Sequence, residues 1–175
     1  TGQGRFMDDI WLPNMKHAAI LRSPYPHGWI RGIDISRALH APGVVGILTG
    51  EDVAKMSQPF PVGVSVPPKY YSCAVDKVRF VGEPVAVAVA EDRYLAEDAL
   101  DLIEVEYEPL PVVVDIEEAI KPGAPILHEK IGSNIYNHRF FKYGDMEKAY
   151  KEADQVVKGK FKFPKYGSTP IETYG

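Results

Sequence analysis

The sequence predicts an α+β fold in which helices pack on a mixed sheet. Residues 79–120 change from an apolar run to a helical period and then to alternation, which is the order strand, helix, strand. Before them, residues 15–21, 29–35 and 44–48 are short strand-like segments separated by Pro and Gly. One domain of this class fits within 175 residues, of which 45% are hydrophobic.

The first predicted elements are two strands and a helical turn. Residues 15–21 form a compact apolar segment, and residues 29–35 alternate apolar and polar side chains as a half-buried strand does. Residues 36–41 follow as a helical turn, which Pro42 and Gly43 end because neither continues a helix well.

The next segment predicts a strand, a helix and a long loop. Residues 44–48 are an apolar strand, and Thr49 stands three residues before Asp52, the spacing of a capping box at the start of a helix. We therefore expect a helix over residues 51–56. Residues 57–73 are rich in Pro and lack any period, and loops of this length inside a compact domain are often functional.

The strand–helix–strand unit is the clearest local signal. Residues 85–90 are apolar throughout and predict a central strand that is buried on both faces. Asp92 can cap the following helix, whose apolar stripe is Leu95, Ala99 and Leu102. Residues 104–108 alternate again. Such a unit favours a parallel strand pair with a right-handed crossover.

The last third of the chain carries weaker signals. Residues 112–114 predict a short strand, and Asp115 can cap a helix over residues 116–120. Residues 124–143 read mostly as loop. A helix then begins at Asp145, with an apolar stripe of Met146, Ala149, Tyr150 and Ala153. Residues 155–163 alternate as an amphipathic strand.

Composition excludes several classes of protein. A net charge of −4 gives no electrostatic reason to bind nucleic acid or an anionic membrane. One cysteine, Cys73, excludes an internal disulfide and a cysteine-built metal site, and a reducing, cytoplasmic compartment is the simplest expectation. No segment approaches the ~20 apolar residues of a membrane-spanning helix. The absence of a signal pattern and of an initiator Met is typical of a fragment or a processed product.

Several motifs favour a structural interpretation over a chemical one. Gly2-x-Gly4 has no preceding strand, so a turn is a better explanation than a phosphate loop. Glu104, Glu106 and Glu108 share one strand face and fit a charged edge better than a cation site. Alternating lysines and phenylalanines also fit an amphipathic strand better than a nucleic-acid surface; they are Lys158, Lys160, Phe161, Lys162, Phe163 and Lys165.

No catalytic constellation is evident among the histidines, serines or the cysteine. The histidines lack metal-ligand spacing; they are His17, His27, His40, His128 and His138. Cys73 has no neighbouring His to activate it. Glu83 differs, because it stands between Gly82 and Pro84 at the start of the buried strand. A carboxylate at that place is a candidate for a functional role beside an interface.

The motifs in their order resemble one enzyme family. Residues 78–99, V-R-F-V-G-E-P-V-A-V-A-V-A-E-D-R-Y-L-A-E-D-A, resemble the N-terminal α/β-hammerhead domain of molybdenum hydroxylase large subunits. That family includes xanthine dehydrogenase, aldehyde oxidase and the carbon monoxide dehydrogenase type. Residues 1–10, 21–30 and 105–120 resemble it as well, and residues 168–175 are similar to the beginning of the molybdopterin-binding part. The G-E-P form resembles the three-subunit, carbon monoxide dehydrogenase-like branch more than it resembles the eukaryotic xanthine oxidases.

The resemblance implies the chemistry of the assembled enzyme. Members hydroxylate aldehydes or heterocycles, or oxidise carbon monoxide, at a molybdenum ion held by a molybdopterin, in prokaryotes often the cytosine dinucleotide. Electrons leave through [2Fe–2S] clusters to FAD. The implied partners are the remainder of the molybdenum subunit, an FAD-binding medium subunit and a [2Fe–2S] small subunit. The cofactor carries the chemistry and the protein positions it.

The resemblance assigns no catalytic, cofactor-binding or metal-binding residue to this chain, because the matching family motifs lie beyond Gly175. In some relatives the loop before the V-G-E-P strand lines the substrate funnel. That loop maps to residues 59–71, and the candidate funnel residues are Phe60, Tyr70, Tyr71 and Glu83. Aromatic side chains suit an apolar substrate wall. The alternative is a surface loop that docks on the missing domain.

The implied organisation has three parts. Residues 1–122 are the hammerhead domain, residues 123–165 are a connecting segment with a helix and a strand, and residues 166–175 begin the molybdopterin-binding domain. The expected function is architectural, and the chain alone should be inactive. Two alternatives remain open: a stand-alone binding module that reuses the domain, and a self-sufficient enzyme that uses Glu83 or the glutamate row.

Overall fold

A computed structural model describes residues 2–64, 66–164 and 167, which divide into two units. One unit is Asn14–His138, and the other consists of Thr1–Pro13 and Arg139–Gly175. The strands are β1 (His17–Arg22), β2 (Gly28–Asp34), β3 (Val44–Thr49), β4 (Lys77–Val78), β5 (Pro84–Ala90) and β6 (Glu104–Pro109). The helices are a 3₁₀ turn (Met7–Asp9), α1 (Ser36–Leu39), α2 (Gly50–Met56), α3 (Arg93–Leu100), α4 (Ile116–Ala119) and α5 (Met146–Glu152).

The strands form two antiparallel sheets of three strands each. The first sheet has the order β1-β5-β3, and the second has the order β4-β2-β6. In the first sheet Ala88 of β5 lies opposite both Ala19 of β1 and Ile47 of β3. In the second sheet β2 pairs with β4 at Gly28 and Trp29 and with β6 along its whole length. The α+β class, in which helices pack on sheets, is confirmed.

The predicted parallel pair of strands is wrong. Strands β5 and β6 lie in different sheets, and each described pairing is antiparallel. Both edges of β5 are occupied by β1 and β3, so β6 finds its partner in β2 instead. The apolar run correctly predicted a central strand, but periodicity carries no information about which strand becomes its neighbour.

Helix α3 packs on one side of the first sheet through alanines. The Asp92 carboxylate accepts a hydrogen bond of 2.9 Å from the Leu95 N–H, so the predicted cap is confirmed. Ala96 and Ala99 are 1% exposed and lie in core clusters with alanines of the sheet. Small side chains on both surfaces allow the helix to approach the sheet closely.

Other local predictions have mixed outcomes. The capping box of Thr49 and Asp52 is confirmed, as is the cap of α4 by Asp115, whose carboxylate accepts from the N–H groups of Glu117 and Glu118. The strand predicted at residues 112–114 is wrong, since that stretch has no sheet partner. The loop at residues 124–143 is confirmed.

The predictions for the C-terminal region were right for the helix and wrong for the strand. Helix α5 begins after Asp145, whose carboxylate accepts from the Lys148 N–H at 3.0 Å. Residues 155–163 form no strand, and Phe161 and Phe163 are 84% and 80% exposed. Alternation yields a strand only where another strand pairs with it and something covers its apolar side. The predicted start of a second domain lies outside the described residues, apart from Gly167.

Helices long and apolar enough to cross a membrane are not found in the part of the chain that the structure describes.

Candidate functional site

A cleft of 710 Å³ opens in the unit of residues 14–138. One wall is the segment that includes residues 66–71, and the opposite wall is the turn at residues 128–131. Trp29, Arg79 and Glu83 contribute from the strands and turns between these walls. Beside the cleft, Ala74, Val78 and Val85 pack together in a core cluster with apolar residues of β2 and β6.

The structure brings most of the predicted funnel residues together. Tyr70, Tyr71 and Glu83 all line the cleft. Phe60 is not part of the lining, but its ring lies 5.9 Å from that of Tyr70 and its N–H donates a 2.7 Å hydrogen bond to the Tyr70 carbonyl. Phe60 therefore supports the aromatic wall from behind. Their role in guiding a substrate stays a prediction.

Glu83 is buried, with 4% of its surface exposed. Its carboxylate accepts a hydrogen bond from the Arg79 N–H, and its carbonyl accepts one of 2.9 Å from the Ser23 N–H. Gly82 before it has φ +88°, a left-handed conformation that favours glycine, and makes this tight turn possible. Burial raises the pKa of Glu83, and the hydrogen bond from Arg79 and its charge offset only part of that effect. The carboxyl group holds the turn before β5 together.

The guanidinium of Arg79 is held by two neighbours yet keeps one donor unpaired among the described residues. It donates from Nη1 to the Lys77 carbonyl at 2.7 Å and from Nη2 to the Asp76 carboxylate at 3.5 Å. Its Nε atom is buried and has no hydrogen-bond partner within the described residues. A buried donor without an acceptor costs about 1–3 kcal/mol. No pattern in the sequence indicated this position.

Lys77 holds the turn at residues 128–131 against strands β2 and β4. Its side chain is fully buried, and its ammonium group donates a 2.6 Å hydrogen bond to the Glu129 carboxylate. The same ammonium lies 5.2 Å from the centre of the Trp29 ring, a cation–π distance. Burial acts to raise the pKa of Glu129, but the hydrogen bond from Lys77 and the charges of Lys77 and Arg79 outweigh it and leave that pKa lowered. Sequence reasoning missed this pair because its members are 52 residues apart.

His128 also lines the cleft, and it packs edge-on against the Tyr136 ring at 5.4 Å. Burial, together with the positive charges of Arg79 and Lys77, lowers the pKa of His128 to about 4. The imidazole is therefore neutral near pH 7. The sequence interpretation of His128 as structural agrees with this packing.

The chemistry that the cleft can perform follows from these groups. Its surface combines aromatic and apolar side chains with charged ones, among which Arg79 pairs with Asp76 and Glu129 with Lys77, and such a surface suits binding or packing. Cys73 lies in the lining, but burial raises the pKa of its thiol and disfavours the reactive thiolate. The described residues hold no group of three or more His, Cys, Asp or Glu arranged for a metal ion.

The glutamate row lies elsewhere, on the edge strand β6. Glu104, Glu106 and Glu108 are exposed, as the sequence predicted for a charged edge. Glu104 pairs with Arg37 at 3.2 Å, and Glu108 pairs with Arg31 at 2.5 Å. Exposed ion pairs of this kind contribute little to stability.

Comparison with known proteins identifies the family. Residues 1–111 match the model of the aldehyde oxidase and xanthine dehydrogenase a/b hammerhead domain. The chain belongs to that family.

Similar proteins include both curated sequences and solved structures. All 175 residues align at 35% identity with a probable xanthine dehydrogenase subunit of Bacillus subtilis, and they span 23% of its length. Quinoline 2-oxidoreductase of Pseudomonas putida 86 superposes with a TM-score of 0.73 at 41% identity, over 78% of this chain and 18% of its own. A Cu,Mo-CO dehydrogenase superposes with a TM-score of 0.71 at 36% identity, over 87% of this chain and 21% of its own. The chain thus spans less than a quarter of these relatives.

Proposed function

We propose that this chain is the N-terminal part of the molybdenum-binding subunit of a molybdenum hydroxylase. The assembled enzyme would be an oxidoreductase that hydroxylates an aldehyde or a heterocycle, or oxidises carbon monoxide. The observation that carries the proposal is the alignment of the whole chain with less than a quarter of a xanthine dehydrogenase subunit. The similarity to a dehydrogenase that contains molybdenum supports the metal.

In this proposal the chain supplies architecture and a wall of the substrate path. The molybdenum cofactor would supply the hydroxylation chemistry when bound by the remainder of the subunit. The cleft, with Tyr70 and Tyr71 in its wall and Phe60 behind it, would present an apolar surface to an entering substrate. Glu83 would hold that wall in place through the turn before β5.

The proposed organisation and partners follow the same reasoning. Residues 1–122 would be the hammerhead domain, residues 123–165 the connecting segment, and residues 166–175 the start of the molybdopterin-binding domain. The match over residues 1–111 supports a hammerhead domain that covers most of residues 1–122. The cofactor would be the cytosine dinucleotide of molybdopterin. An FAD-binding medium subunit and a [2Fe–2S] small subunit would complete a cytoplasmic complex.

The test is metal and flavin analysis of the material that contains this chain when it is purified from its native host. We expect molybdenum, iron and flavin to co-purify with it, and we expect the 175-residue chain alone to oxidise no aldehyde or purine. Absence of all three cofactors, with no larger polypeptide alongside, would contradict the proposal. So would turnover by the chain alone, and a chain that is monomeric and cofactor-free in its host would support the stand-alone binding module.

A further inference from the structure

The first sheet has an apolar face on the side away from α3. The facing residues follow from the strand register, since residues directly opposite in an antiparallel pair share a face. Ile20 and Leu48 lie opposite Val87, and Ala18 and Gly46 lie opposite Val89. We call these six residues the valine face: Ala18, Ile20, Gly46, Leu48, Val87 and Val89.

The two sides of this sheet differ in what covers them. On the side of α3, Ala86, Ala88 and Ala90 are fully buried. On the valine face, by contrast, Val87 and Val89 are only half-buried, and Ile20 is 40% exposed. None of the six residues belongs to a core cluster among the described residues.

Gly46 gives an independent measure of the space above this face. A Cβ atom added at Gly46 would meet no heavy atom within 4 Å, although the residue lies in the middle of β3. A glycine inside a strand often marks a place where another backbone approaches closely. The sheet therefore has room for a polypeptide segment at this position.

The chemistry of the valine face indicates the kind of partner. None of its six residues has a side chain that carries a charge or a hydrogen-bonding group. By contrast, the exposed side chains of the edge strand β6 in the second sheet include the glutamates 104, 106 and 108, which are typical of a solvated surface. A strand that is apolar throughout is typical of a sheet buried on both faces. Interfaces that are permanent rather than transient are also the more hydrophobic ones.

We infer that the valine face is where the molybdenum-binding remainder of the large subunit docks on this chain, with an apolar segment seated over Gly46. The length of the relatives indicates which partner covers this face. The chain spans 23% of the Bacillus relative, so more than three quarters of such a subunit lies outside it. This inference rests on the proposed function and deepens it. It specifies the surface by which this chain would contact and support the molybdenum-binding remainder.

The test fills the open space above Gly46 without removing any core contact. The chain, tagged, is co-expressed with the remainder of the large subunit as a second polypeptide, and the two are co-purified. Gly46→Leu places a side chain where the partner would sit. The matched control is Gly32→Leu, because Gly32 also lies in a strand beside a register shift, and a Cβ there likewise meets nothing within 4 Å. Gly32 lies in the other sheet, opposite Glu106.

We expect Gly46→Leu to reduce recovery of the remainder roughly tenfold, since overpacking an interface costs about 1–3 kcal/mol and about 1.4 kcal/mol is a factor of ten. Gly32→Leu should leave recovery unchanged. Circular dichroism and thermal unfolding of each tagged chain alone should match the wild type, which shows that the loss is not misfolding.

Three results would overturn the inference. Equal recovery with both variants would remove the valine face as the docking site while leaving the proposed function in place. Failure of the wild-type chain to recover any remainder, together with absence of molybdenum from the native material, would overturn the proposed function as well. A dimer of the chain alone that Gly46→Leu dissociates in sedimentation experiments would identify a second copy as the occupant instead.

Discussion

Buried polar side chains determine the form of the cleft at the scale of single residues. Lys77 is fully buried between the Trp29 ring and the Glu129 carboxylate, and Glu83 is buried beneath the Arg79 backbone. Breaking a buried polar pair costs more than the pair contributes, because the remaining partner is left unsatisfied. These groups therefore fix the turn at residues 128–131 and the turn before β5, even though their net contribution to stability is small.

His128 makes the stability of the unit depend on pH. Its folded-state pKa of about 4 lies below its ordinary value of 6.5, so the unfolded chain takes up a proton first as the pH falls. Stability should be unaffected above pH 6.5, decrease between pH 6.5 and 4, and level off below that. His128→Gln should remove about 1 kcal/mol of this decrease, a value reduced for the partial exposure of the ring.

Urea unfolding at about pH 7, 5.5 and 4.5 measures this effect, since these values span the titration of the group. The control is His138→Gln, because His138 is exposed and lies outside the cleft lining. It should retain the wild-type dependence on pH. If His128→Gln loses as much stability as the wild type over this range, His128 does not carry the effect.

At the scale of secondary-structure elements, α3 is the helix that covers the alanine side of the first sheet. Its first turn is satisfied by the Asp92 carboxylate, which accepts from the Leu95 N–H. Asp92→Ala should destabilise the chain by about 1 kcal/mol, the usual cost of losing an N-cap. Asp98→Ala, an exposed position in the middle of the same helix, should change stability by less than about 0.5 kcal/mol.

Chemical denaturation of both variants gives the comparison, with the midpoint shifting and the slope unchanged if only stability is altered. Equal losses for Asp92→Ala and Asp98→Ala would show that the cap contributes nothing beyond helix propensity.

Local elements were predictable from the sequence, and their partners were not. The caps at Thr49, Asp92 and Asp115 depend on residues within three positions, so the sequence determines them directly. Strand pairing depends on tertiary contacts, which is why β6 was assigned to the wrong neighbour. Strand β4 was missed because two residues, Lys77 and Val78, are too short to show a period.

The candidate site was predictable to a similar extent. Tyr70 and Tyr71 could be selected because the family resemblance pointed to the loop at residues 59–71 and because aromatic side chains suit an apolar wall. The opposite wall at residues 128–131 could not, because it is joined to the strands beside the cleft by the Lys77–Glu129 pair, whose members are 52 residues apart. A single amino-acid sequence does not indicate which residues far apart along it come into contact.

At the scale of the whole molecule, the chain spans less than a quarter of the length of its relatives, so its surfaces are best tested in the larger enzyme that we propose. The last prediction concerns the aromatic wall. Tyr70→Ala would remove the ring that lines the cleft and packs at a tilt against Phe60, so an apolar substrate would lose contact with the wall. We expect about a tenfold rise in KM or a changed order of substrate preference, with molybdenum content unchanged.

Steady-state kinetics of the assembled enzyme with a series of aldehydes and heterocycles checks this prediction, with Tyr94→Ala as the control. Tyr94 is 78% exposed on α3 and lies outside the cleft lining, so its loss should leave KM and the order of substrate preference unchanged. If the two variants behave identically with normal molybdenum content, the loop at residues 59–71 does not face the substrate. The alternative, that this loop docks on the missing domain, would then account for its aromatic residues, because buried aromatic side chains are common anchors at interfaces.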